Sequence, residues 1–128
     1  MKKLFFIWFF LVSSLFSYDI KELENISQIK KNQDVILMFS TSYCPWCIRQ
    51  TNVFNELAFK RENLQILKVK DDSKVYKELL AKYPFTIKYF PTSFLVNYED
   101  NDMFIIHEFR GYQNEKNIIK VLDDKDRF

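Results

Sequence analysis

The chain has 128 residues, and 48% of them are hydrophobic, enough to furnish the core of one small domain but not of two. Its formal net charge is only +2, with no basic excess to attract a phosphate backbone, so nucleic acid is not expected as a partner. Two cysteines and one histidine are too few ligands to argue for a metal centre, and nothing in the composition implies a cofactor.

Residues 1–17 read as an export signal. Lys2 and Lys3 form a basic start, Leu4 to Val12 is apolar throughout, and Ser13, Ser14 and Ser17 place small residues before a cut after Ser17. The alternative is a retained membrane anchor, but two serines interrupt the apolar stretch before Phe16, and a span wants about 20 residues. No cysteine near the cut allows an N-terminal lipid anchor. Loss of Lys2 and Lys3 lowers the formal charge from +2 to zero, and residues 18–128 are then the domain.

Ile20, Leu23, Ile26 and Ile29 recur every three residues, which predicts a helix over Asp19 to Lys31. Val35 to Phe39 is a continuous apolar run, as in a strand covered on both faces. A helix is expected from Cys44 or Pro45 to Lys60, with Val53, Phe54, Leu57 and Ala58 as its apolar stripe and Arg61-Glu62-Asn63 as its end. Leu64, Ile66, Leu67 and Val69 predict a second strand. Asp71-Asp72-Ser73 precedes a helix over Lys74 to Tyr83 that Pro84 stops. Ser93 to Tyr98 and Met103 to Phe109 predict an antiparallel hairpin across the polar turn Glu99 to Asp102. Gly111, the single glycine, fits a turn or a close backbone approach. The last helix is expected from Asn114 to Leu122, with a frayed tail from Asp123 to Phe128. The order gives an α/β domain. Its mixed four-stranded sheet has helices on both faces, and its first two strands are parallel through a right-handed crossover.

The chemistry concentrates in Cys44-Pro45-Trp46-Cys47, at the junction of the first strand with its helix. A thiol at a helix N-terminus is favoured as thiolate by unpaired backbone N–H groups and the helix dipole. Cys44 is therefore the attacking sulfur and the more exposed one. Cys47, one turn on, resolves the mixed disulfide that Cys44 forms with a client. Pro45 fits the first helical turn and stiffens it. Trp46 gives a client an apolar patch, or else is ordinary packing. Arg49 either supports the thiolate or is simply solvated. In an oxidising compartment the pair is alternatively a structural staple, but so small a loop gains little unfolded-state entropy from closure. His107 reads as a surface or edge histidine, and Glu99, Asp100 and Asp102 as a solvated turn in preference to a calcium loop.

Val35 to Cys47 resembles the strand, loop and active-site start of the thioredoxin family. Tyr89-Phe90-Pro91-Thr92 and the hairpin after it add a second landmark, so that the likeness covers residues 33–122. The resemblance implies a thioredoxin-like fold and thiol–disulfide oxidoreductase activity. It implies that Pro91 is cis and faces the cysteines, and that Phe90 lends backbone groups to an extended client. Thr92 follows as in the family, and Gly111 lets chain and client approach closely. The family's buried acid, six residues before the first cysteine, is Met38 here. Proton handling at Cys47 then falls to water, to another side chain such as Glu56, or to no dedicated group. The stretch from Tyr83 to Pro91 is longer than usual in the family.

The motif with its export signal looks more like the secreted members of the bacterial envelope. That implies a periplasmic monomer acting on exported client proteins with cysteines, kept reduced by a membrane electron donor. Pro45 and Trp46 add no charge beside the sulfurs, and there is no room between Leu67 and Pro91 for the helical insertion of oxidising relatives. Both points favour a reductant. An envelope oxidase or isomerase, and a non-catalytic peptide-binding module, are the alternatives.

Overall fold

The computed structural model describes residues 19–124. The expected export signal, together with Tyr18 and the last four residues of the expected tail, lies outside them. Five strands and three α-helices follow one another as β1 (Lys21–Glu22), β2 (Asp34–Ser40), α1 (Pro45–Lys60), β3 (Leu64–Lys70), α2 (Lys74–Lys82), β4 (Thr92–Glu99), β5 (Asp102–Arg110) and α3 (Glu115–Asp124). The sheet order is β1-β3-β2-β4-β5. β1 and β2 run parallel to β3, whereas β4 is antiparallel to both β2 and β5.

β2 is the central strand, and residues 35–40 are all buried. Side chains alternate across a strand, so β2 divides the core in two. Val35, Leu37 and Phe39 join Val75 and Leu79 of α2, with Phe85, Phe94 and Val96, on one face. Ile36 and Met38 join Cys47, Phe54 and Leu57 of α1, with Ile118 and Leu122 of α3, on the other. Each face buries apolar side chains worth about 1.5–3 kcal/mol apiece, so sheet and helices are stable only as one body.

The sheet has five strands, not the expected four, and the helix expected over Asp19 to Lys31 does not form. Lys21 and Glu22 pair with Leu67 and Lys68 at the sheet edge instead, and the Leu23 N–H donates to Lys68 O at 2.8 Å. The apolar residues behind the helical reading serve two faces. Ile20 packs with α1 and α3, while Leu23 and Ile29 pack on the α2 side. A helix would hold all three on one stripe. Only a single 3-10 turn, Ile26–Gln28, survives, capped at Asn25 by a reciprocal capping box with Gln28.

Elsewhere local chemistry sets the boundaries. Ser73 caps α2 by accepting from the Tyr76 N–H. Asp100 and Asn101 both take positive φ, 50° and 62°, the conformation a two-residue hairpin turn requires. Register between β4 and β5 shifts after Leu95, leaving Ile106 as the extra residue of a bulge. The final helix extends to Asp124, past the expected start of the tail, and Asp123 pairs with Arg61, the residue that ends α1, at 2.6 Å.

Candidate active site

β2 ends at Ser40 beneath the N-terminus of α1, and the loop between them turns through Tyr43 at φ 58° to deliver Cys44 as the N-cap. Cys44 has extended backbone, and its sulfur accepts the Cys47 N–H at 3.1 Å. Pro45 follows as the first helical residue, where its missing N–H costs no intrahelical bond. Cys44 and Cys47 are joined as a disulfide, with their Cα atoms 5.2 Å apart. Cys44 is half-buried, while Cys47 is only 3% exposed. Reagents in solution therefore reach Cys44 first.

Facing the pair is the loop before β4. The Phe90–Pro91 bond is cis, and Phe90 O lies 3.9 Å from Cys44 Sγ. Phe90 touches both halves of the core. The Thr92 side chain is buried and turns inward, and its hydroxyl donates to Tyr89 O at 2.7 Å. Thr92 therefore shapes the loop, and only its backbone remains for a client. Gly111 has φ +67°, which only glycine adopts without strain, and a Cβ there would meet nothing within 4 Å. Its need is conformational.

The floor beneath Cys47 is uncharged. Met38 is fully buried in the same cluster as Cys47. Thr51 Oγ1 donates to Cys47 O at 2.8 Å and lies 3.7 Å from Met38 Sδ. Ser93 stands opposite Met38 across the strands, and its buried hydroxyl has no partner. Glu56 is exposed on α1, nine residues past Cys47, which is about 13 Å along the helix. Its charge acts on Lys60, and it is not a base for Cys47.

The rim is aromatic. Trp46 is 52% exposed, with the Arg49 guanidinium 4.8 Å from its ring centroid and the Tyr112 ring at 5.5 Å. Gln50, fully buried, holds the loop that bears Tyr112: its amide donates to Gln113 O at 3.1 Å and accepts the Gln113 N–H at 2.7 Å. Gln50 and Tyr112 were not foreseen, although Gln50 lies on the Cys47 face of α1 and Tyr112 adjoins Gly111. His107 is exposed on β5 beside the Phe109 ring, opposite Leu95 of β4. Among the described residues no group of three or more His, Cys, Asp or Glu is placed to hold a metal ion.

A family model described as thioredoxin matches residues 19–124. No curated protein matches the chain in sequence. Among solved structures, thioredoxin of Trichomonas vaginalis superposes with a TM-score of 0.65 at 17% identity, covering 81% of this chain and 96% of its own. A thioredoxin-like protein from Clostridium perfringens gives 0.65 at 24% identity, over 83% and 81% of the two chains. Thioredoxin of Trypanosoma brucei brucei gives 0.65 at 15%, over 88% and 95%. At these identities the likeness is one of fold.

Proposed function

The chain belongs to the thioredoxin family, a family of thiol–disulfide oxidoreductases, and from that membership we propose that it reduces disulfides of exported client proteins. The observation that carries the proposal is the asymmetry of the pair: one cysteine half-buried at a helix tip, the other sealed one turn behind it.

The electron pair moves in two displacements. The Cys44 thiolate attacks one sulfur of a client disulfide, and the other client sulfur leaves as thiolate. Cys47 then loses its proton and attacks Cys44 Sγ, which releases the first client sulfur. The client has gained two electrons, and protons from water complete its two thiols. The protein keeps its own disulfide and needs a fresh dithiol donor, for which a membrane reductase suits an exported protein. The helix dipole and the Cys47 N–H favour the attacking thiolate. Phe90 O, beside the reacting sulfur, is an acceptor for a client N–H. Among the described residues no acid lies under Cys47, so its proton leaves through water. Resolution of the mixed disulfide should therefore speed up as pH rises.

Export to the periplasm is supported by the Lys2-Lys3 start and the apolar run after it. A reducing direction is supported by Pro45 and Trp46, which put no charged side chain between the two cysteines. The test is a Cys47→Ala variant expressed in the native host. Client proteins should accumulate as adducts on Cys44, and the wild-type pair should equilibrate near the reducing end of the range, about −270 mV. A potential near −120 mV would make the protein an oxidant instead. Absence of adducts, with no reduction of insulin by the wild type, would leave only a binding module.

A further inference from the structure

Ser93 of β4 is 1% exposed, and its hydroxyl oxygen is sealed from solvent without a hydrogen-bond partner. Strand pairing sets it opposite Met38 of β2 on one side and Phe109 of β5 on the other. Directly opposed residues share a face of the sheet, with Cβ atoms about 4.5–5.5 Å apart. That face is the α1 side, because Met38 and Phe109 both pack in the cluster that holds Cys47. Thr51 closes the same chamber from α1: its hydroxyl lies 3.7 Å from Met38 Sδ and 2.8 Å from Cys47 O. Ser93 thus shares an apolar chamber with the second sulfur. The other buried polar side chains among the described residues are placed otherwise. Thr51 bonds Cys47 O, Gln50 holds Gln113, Thr92 donates to Tyr89 O, and Ser40 pairs with Lys70 on the β3 side. None of the buried side chains is charged. Arg49 and Glu56 of α1, Lys116 and Lys120 of α3 and His107 of β5 are all exposed. The cysteines are therefore the titratable groups of this chamber.

We propose that the Ser93 hydroxyl donates to Cys47 Sγ as that sulfur ionises, and so holds the buried cysteine in its attacking form. The inference rests on the oxidoreductase reading above and adds a residue to its second displacement. Burial among apolar side chains holds back the ionisation of a thiol, and a hydrogen bond to the thiolate offsets that. A disulfide sulfur is a weak acceptor, whereas a thiolate is a strong one. A hydroxyl left unpaired in the disulfide form therefore gains a partner once Cys47 is reduced and loses its proton. Serine suits the task, since its O–H turns freely about a short arm. The Cys47 proton passes to water, and Ser93 keeps its own. The electron pair on Cys47 Sγ then forms the bond to Cys44 Sγ, and the client sulfur leaves with the pair of the broken bond. As the charge passes to the client the hydroxyl gives up its bond. The disulfide form returns with Ser93 unpaired, as it stands in this structure.

The test compares the wild type with Ser93→Ala and Ser93→Thr. Each reduced protein is mixed with an excess of an aromatic disulfide that releases a coloured thiolate, and the release is followed by stopped flow across pH. The first equivalent reports attack by Cys44, the second closure by Cys47. In parallel, the Cys47 pKa is read from the pH dependence of its labelled Cβ resonance. In Ser93→Ala that pKa should rise by about one unit. Below both pKa values the second release should slow by roughly three- to ten-fold, because a less acidic thiolate is also the better nucleophile and returns part of the rate. The gap should close above both values, and the first release should be unchanged. Ser93→Thr keeps the hydroxyl and should restore the pKa and the second release. The urea midpoint of the disulfide form should not fall in Ser93→Ala, since no bond is lost there. A lower midpoint would show the hydroxyl already bonded in that form and overturns the proposal. An unchanged Cys47 pKa and second release in Ser93→Ala overturn the role of Ser93 and leave the oxidoreductase reading standing. A shift that Ser93→Thr shares belongs to packing and overturns it too. Failure of the wild type to reduce insulin overturns the oxidoreductase reading and the inference with it.

Discussion

Tyr83 shows how one buried hydroxyl ties stability to pH. It is 7% exposed, and its phenol is pushed up to about 12, by burial first and then by the nearby Tyr98. The Tyr98 hydroxyl lies near that of Tyr83, but the contact is too loose for a well-formed hydrogen bond. The folded state prefers the neutral phenol, whereas the unfolded chain ionises near 10. Stability from this group is therefore full below pH 10 and lost between 10 and 12. Tyr83→Phe should lose less of its urea midpoint between pH 8 and pH 11.5 than the wild type. At pH 8 it should be no less stable, because the lost hydroxyl had no bond to break. Legibility at this scale follows sequence distance. Cys44 and Cys47 were readable because their chemistry is complete within four residues. Ser93 and Gln50 were not, since their meaning lies in what faces them. Gln50 meets Gln113 across 63 positions, and no local pattern reports that.

α1 illustrates what an element adds. Its limits were readable because a cap, a proline and an apolar stripe are all local signals. The segment before β2 was misread because its period of three serves two faces of a sheet, and only pairing with β3 decides between helix and strand. The role of α1 as anchor for the loop after β5 was likewise invisible. Gln50 makes two hydrogen bonds there from a fully buried position. Gln50→Ala leaves both backbone groups of Gln113 unpaired and should cost about 2–4 kcal/mol in urea unfolding. It should also release Tyr112 from Trp46, raising the solvent exposure of the Trp46 indole as read by fluorescence quenching. By contrast, the ion pair of Lys60 with Glu115 joins α1 to α3 at 2.8 Å on the surface. Glu115→Gln should change stability by less than about 1 kcal/mol.

For the molecule as a whole, redox state and fold stability form a closed cycle. The difference in unfolding free energy between the disulfide and dithiol forms equals the difference in reduction potential between the folded and unfolded chain, about 1.4 kcal/mol for each 30 mV. A reductant is a fold that prefers its disulfide. The oxidised protein should thus have the higher urea midpoint, and a more stable reduced form would count against the proposed direction. The same sulfur that accepts the Cys47 N–H begins α1. Charge on that sulfur strengthens the bond. Once a client is joined to it the charge is gone, and what remains is the bond of a neutral sulfur, as in the disulfide seen here, where Cys47 reaches Cys44 from its buried place. The helix tip thus holds its shape through the cycle, and what capture changes is the charge at that tip.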